Sequence, residues 1–100
     1  MNDINTSYHA IMLSTTNPEF AYLTDEQGIL TIPKTLGEHK LSSCASFVVS
    51  MDRSVRTSVV VAIVNYREDD HDCVALQTLN SVYKFKLLGE YDAFNSNSAA

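Results

Sequence analysis

Tryptophan is absent from this chain, and in 100 residues glycine occurs only three times and proline twice. With so little glycine, phosphate-cradling loops are hard to build, and neither the P-loop nor the dinucleotide-binding glycine pattern occurs. GxSxG and HExxH are missing as well, which removes the commonest serine-hydrolase and zinc-protease signatures. No apolar run approaches the ~20 residues needed to span a bilayer as a helix. Clusters of lysine and arginine are also lacking. Seven basic against twelve acidic side chains leave a net charge of −5, the opposite of the basic footprint of a nucleic-acid binder. Cysteine is limited to Cys44 and Cys73, enough for one disulfide, too far apart for a CxxC pair and too few for a disulfide framework. The opening MNDINTSYHA has neither the positive n-region nor the apolar h-region of a secretory signal. These features predict a cytoplasmic protein with two thiols on strands, no membrane partner and no direct contact with nucleic acid.

What remains is the composition of an ordinary globular domain, 45% hydrophobic. A chain of this length can bury about two-thirds of its unfolded surface, so a core without staples is feasible. Room for a large cleft is not. We read residues 1–94 as a single domain and 95–100 as a flexible tail, because NSNSAA has no apolar periodicity.

The densest hydrophobic block is Thr57–Tyr66, TSVVVAIVNY, rich in β-branched residues and free of charge. It predicts a strand buried on both faces at the centre of a sheet. On its N-terminal side, Cys44–Met51 alternates, with Ala45, Phe47, Val49 and Met51 on one face. Asp52–Arg56 reads as a polar connection, and Arg67–Asp72 as a charged loop. Cys73–Thr78 sets Val74, Leu76 and Thr78 against Cys73, Ala75 and Gln77. After a tight turn at Leu79–Asn80–Ser81, Val82–Leu88 turns Tyr83, Phe85 and Leu87 inward and Lys84 and Lys86 outward. Short links imply a four-stranded antiparallel meander over about residues 44–88. Leu88, Tyr91 and Phe94 fall on a helical stripe beyond it.

The N-terminal half is less regular. Ser7–Ser14 reads as a strand. Asn17–Pro18–Glu19 has the chemistry of a helix start, with Gly28 as a stop. The competing hairpin runs Phe20–Thr24, a loop of Asp25, Glu26, Gln27 and Gly28, then Ile29–Ile32 ended by Pro33, and we favour it. The fold class is accordingly α+β or mainly β, with N-terminal strands or a hairpin extending or covering the meander, and little helix.

Asp25–Leu36, DEQGILTIPKTL, resembles the G-R-I-x-I-P-K-E-L segment of AbrB-type swapped-hairpin transcription factors at Gly28, Leu30, Ile32, Pro33, Lys34 and Leu36. Ile29 stands where that pattern has arginine, Gly37 where it has another basic residue, and the Gly–Asp segment that follows is missing. The likeness implies at most a shared hairpin over twelve residues, and the departures together with the net charge of −5 argue against a DNA-binding role.

Chemistry-bearing residues are few. The REDDHD run has the oxygen-rich character of a hard-cation site, with His71 adding a transition-metal option, but the EF-hand spacing is absent. His9, His39 and His71 lie in three different segments. His9 reads as a packed or hydrogen-bonded histidine in mid-strand. Nothing near Cys44 or Cys73 marks an activated thiol. No cofactor, metal or catalytic residue is assigned. The expectation is a small acidic, non-enzymatic protein-binding module whose partner has a basic surface, in the form of a phage- or mobile-element-encoded inhibitor of a host or defence protein. Its binding residues would be Glu68, Asp69, Asp70 and Asp72, with Tyr66 and Tyr91 as aromatic anchors. The alternatives are a self-associating subunit of an oligomer or virion, including a homodimer, and a small metal-dependent or thiol enzyme.

Overall fold

The structure, a computed structural model, describes residues 6–37 and 43–91. Among them are six strands: β1 (Thr6–Thr15), β2 (Gln27–Ile32), β3 (Cys44–Ser50), β4 (Arg53–Glu68), β5 (His71–Thr78) and β6 (Val82–Tyr91). A 3-10 helix spans Pro18–Leu23 between β1 and β2. Each strand pairs antiparallel with the next in sequence, and β6 returns to β1, with Ser7 opposite Tyr91 and Thr15 opposite Tyr83. The protein is therefore mainly β, and the sheet is closed into a barrel. The expected meander is β3 to β6, and the N-terminal strands extend and close it.

The alternation of each strand gives the closed sheet one apolar face, which lines the interior. Ala10 and Met12 on β1, Leu30 on β2, Ala45 and Phe47 on β3, Val55 and Val60 on β4, Val74 and Leu76 on β5, and Tyr83 and Phe85 on β6 point inward and fill the barrel. Each large side chain among them contributes about 1.5–3 kcal/mol by leaving water. Phe47 and Phe85 meet across the interior with ring centroids 5.0 Å apart. The inward face expected for β6 is the observed one, and on β5 Val74, Leu76 and Thr78 are the set that is buried, joined by Cys73.

The Thr57–Tyr66 block departs from expectation. It lies inside a much longer strand, β4, which changes neighbours along its length. Arg53–Val59 pair with β3, and Val60–Glu68 pair with β5. Register shifts near residues 57–58 and at Val61 alter which side chains face inward. Val59 and Val60 are consequently both buried, whereas Val61 and Val64 are exposed, so the block is not buried on both faces. At the first shift Thr57 supplies what the backbone ladder cannot. Its Oγ1 accepts from Ala45 N–H at 3.0 Å and donates to the Ser58 carbonyl at 2.7 Å. A hydroxyl in the core is thereby fully satisfied.

Two connections are shorter than expected. Only Met51 and Asp52 separate β3 from β4, and only Asp69 and Asp70 separate β4 from β5, because the strands absorb Arg53–Arg56, Arg67–Glu68 and His71–Asp72. Met51 lies in the first of these turns and is fully exposed, not on the inner face. The segment before β2 is the 3-10 helix rather than the favoured strand Phe20–Thr24. Asn17 caps it, accepting from Glu19 N–H at 3.0 Å, and Pro18 occupies the first position. Its left-handed turn residue is Asp25, φ 70°, not Gly28. Gly28 is instead needed for close approach. A Cβ there would lie against the Val48 carbonyl, 2.9 Å from its carbon. Pro33 does follow the end of β2. Leu88 and Tyr91 belong to β6, not to a helical stripe; Phe94, His39 and the expected tail lie outside the described residues.

The helix closes one end of the barrel. Leu23 is wholly buried, Asn17 Nδ2 donates to the Tyr83 hydroxyl at 3.3 Å, and Asp25 N–H donates to the Met12 carbonyl at 2.8 Å. The register places the start of β1, the end of β6 and the β4–β5 hairpin at the opposite end.

Candidate functional site

At that opposite end the β4–β5 hairpin stands clear of its neighbours. The β3 ladder reaches β4 only to Val59, and the β6 ladder reaches β5 only to Cys73. Residues Arg67, Glu68, Asp69, Asp70, His71 and Asp72 are all exposed. A two-residue hairpin turn whose central residues both have φ > 0 is of the I′ kind, which asks for Asn-Gly or Asp-Gly. Here the positions hold Asp69 (φ 53°) and Asp70 (φ 66°). Aspartate tolerates this backbone better than most residues, at a cost that glycine avoids.

Arg67 braces the turn. Its Nη1 donates to Asp72 Oδ1 at 2.8 Å and its Nη2 to the Asp70 carbonyl at 3.0 Å. The ion pair is well exposed and contributes little stability. Its effect is to neutralise one carboxylate of four. Glu68, Asp69 and Asp70 have no cationic partner among the described residues, so their field points outward into solvent.

Below the tip, half-buried Tyr66 sits opposite Cys73. Partial burial pushes its phenol above the usual range, and the neighbouring Cys73 and Glu68 act in the same direction. Cys73 is 2% exposed, and its Sγ lies 3.7 Å from the His71 carbonyl; Cys73 and Cys44 form no disulfide among the described residues. On one side of the hairpin a recess of about 400 Å³ is lined by Tyr8, Asn65, Arg67 and Leu87 among others. On the other side, Leu13, Glu68, His71 and Lys86 line one of about 300 Å³.

Five of the six expected binding residues thus share one hairpin: Tyr66, Glu68, Asp69, Asp70 and Asp72. Tyr91 is at the same end of the barrel, but its ring packs edge-on against His9, with centroids 5.3 Å apart, on the seam between β1 and β6. His9 is exposed and makes its ring contact there. Among the described residues, no group of three or more His, Cys, Asp or Glu side chains is placed to hold a metal ion. Nor is any helix there long and apolar enough to cross a membrane. Reasoning from the sequence missed Tyr8, Asn65 and Leu87 as neighbours of the hairpin. They come from three strands, and only the barrel register brings them together.

Comparison with protein-family models, with curated proteins and with solved structures finds no match.

Proposed function

We propose that the protein is a non-enzymatic binding module that docks its acidic β4–β5 hairpin on a basic surface of another protein. The observation that carries this reading is the turn itself. Asp69 and Asp70 occupy backbone positions where Asn-Gly would be less strained, and they place like charges beside Glu68 and Asp72. Local rules broken at a cost, here only partly offset by Arg67, are typical of functional positions. A rigid barrel below the hairpin supplies the scaffold that binding loops need. Complementary charge of this kind acts mainly on association rate and partner choice. The setting we propose is the cytoplasm, in keeping with two cysteines that form no disulfide, and the biological form an inhibitor of a host or defence protein encoded by a phage or mobile element.

The test is affinity capture from the native host with the wild-type chain and with E68Q/D69N/D70N/D72N. A stoichiometric partner with a basic face, weakened by salt and lost with the neutral hairpin, is the expected result. Equal capture by both chains would overturn the reading.

A further inference from the structure

Barrel closure does not cover every strand along its whole length. Beyond Val59, β4 continues through Val60–Glu68 with β5 on one side, and no described strand lies on the other. The described backbone contact on that side comes at its base, where Gly37 N–H donates to the Val60 carbonyl at 2.8 Å. Natural sheets usually blunt such an edge with charge or proline. This one carries neither from Val61 to Tyr66, and it exposes Val61 and Val64, at 38% and 57%. At its far end it runs directly into Glu68, Asp69 and Asp70, whose carboxylates lack a cation among the described residues.

We propose that this edge receives an extended segment of the protein partner as an added strand, antiparallel to β4 and carrying lysine or arginine at its N-terminal end. The inference rests on the basic-partner reading above and specifies how that partner is held. Strand addition draws affinity from main-chain hydrogen bonds and specificity from alternate side chains. Direction follows from topology. β4 runs toward the acidic tip, so an antiparallel neighbour begins beside the tip and ends near Val61. Charge selects the occupant. A second copy of this chain, with net charge −5, would bring another acidic hairpin, whereas a basic segment supplies the counter-charge that Glu68, Asp69 and Asp70 lack.

The experiment is an NMR titration of the full ¹⁵N-labelled chain with four peptides. The first is Lys-Lys-Thr-Val-Thr-Val-Thr-Val. The second has the two lysines moved to the C-terminus, the third has them replaced by glutamates, and the fourth is the first N-methylated at alternate residues. The first peptide should shift the outward-facing alternate amides of Val61–Tyr66 and bind about tenfold more tightly than the second and third. The N-methylated peptide should leave those amides unmoved. Shifts confined to Glu68–Asp72, or equal binding of the N-methylated peptide, overturn the added strand while leaving the basic partner standing. Edge shifts indifferent to lysine or glutamate overturn the basic partner, and no shift with any peptide overturns the added strand. Hydrogen exchange on the free chain completes the test. Outward amides already protected in the monomer, or protected only as concentration rises, assign the edge to the chain itself or to a second copy, and either result overturns the proposal.

Discussion

Replacing Gly28 by alanine tests the narrowest seam of the barrel. β2 and β3 share only three register pairs, Ile29 with Val48, Leu30 with Phe47 and Thr31 with Ser46, and Gly28 lies at the edge of this ladder. An added Cβ would press on the Val48 carbonyl oxygen, 2.9 Å from the carbonyl carbon and 3.1 Å from Val49 Cα. Carbon atoms in good contact sit about 3.5–4.0 Å apart, so the strands must separate by roughly half an ångström or more. The obstacle is backbone, which cannot rotate aside as a side chain can. Overpacking of this kind costs about 1–3 kcal/mol. Against it, alanine restricts the unfolded chain and returns about 0.4–1 kcal/mol. The net expectation is a loss of about 1–2 kcal/mol, which for a domain of this size lowers Tm by roughly 5–15 °C. Thermal and urea denaturation followed by circular dichroism measure it. A second variant isolates the cause: in G28A/V48A the Val48 side chain is trimmed but the carbonyl stays, so stability should not recover. A Tm for Gly28→Ala within about 2 °C of wild type, on the same scaling, would refute the close-approach argument; rescue by Val48→Ala would move the clash to the side chain.

The double substitution D69N/D70G should raise stability by about 1 kcal/mol, because it suits the two positive-φ positions and removes two like charges; an unchanged or lowered Tm would mean that the aspartates carry no cost there. Tyr66→Phe should remove a phenolate step lying above the usual phenol value of about 10 in a spectrophotometric titration. Since the folded pKa of Tyr66 is raised, its contribution to stability is fully present below pH ~10 and is lost as pH climbs through the folded value. The wild type should therefore lose stability more steeply than Tyr66→Phe in strongly alkaline buffer, and matching slopes would count against the burial of Tyr66.

Much of the framework is legible from local pattern. Tyr83, Phe85 and Leu87 alternate with Lys84 and Lys86, and the strand they define is the one observed. The same holds for Val74, Leu76 and Thr78. What defeats local pattern is long-range register. No feature of Ser7 or Tyr91 announces that they face each other, so the return of β6 to β1 cannot be read from either strand. The Thr57–Tyr66 block misleads because β-branched residues suit a doubly buried strand and a strand that shifts register equally well; the two shifts turn Val61 and Val64 outward. Around Asn17 the cap and the proline mark a helix start, and the six-residue helix they open, in place of a hairpin strand, buries Leu23 at the end of the barrel. At the candidate site, the acids were visible as a charged run. Their projection beyond both neighbouring ladders was not, since it depends on where β3 and β6 stop.

The pairing of β6 with β1 sets an order on how the protein can be made. The seam joins eight residues of each strand, as many as any in the barrel, and it links the first described strand to the last. While the chain is being synthesised, β1 to β5 can form an open sheet as they emerge, but β1 has no partner on its outer side until residues 82–91 have left the ribosome. For that interval the outer edge of β1, with Ile11 and Leu13 on it, is open to pairing with other chains. A ribosome stalled before Val82 would hold a sticky, unclosed sheet, and completing ten residues would convert it into the barrel.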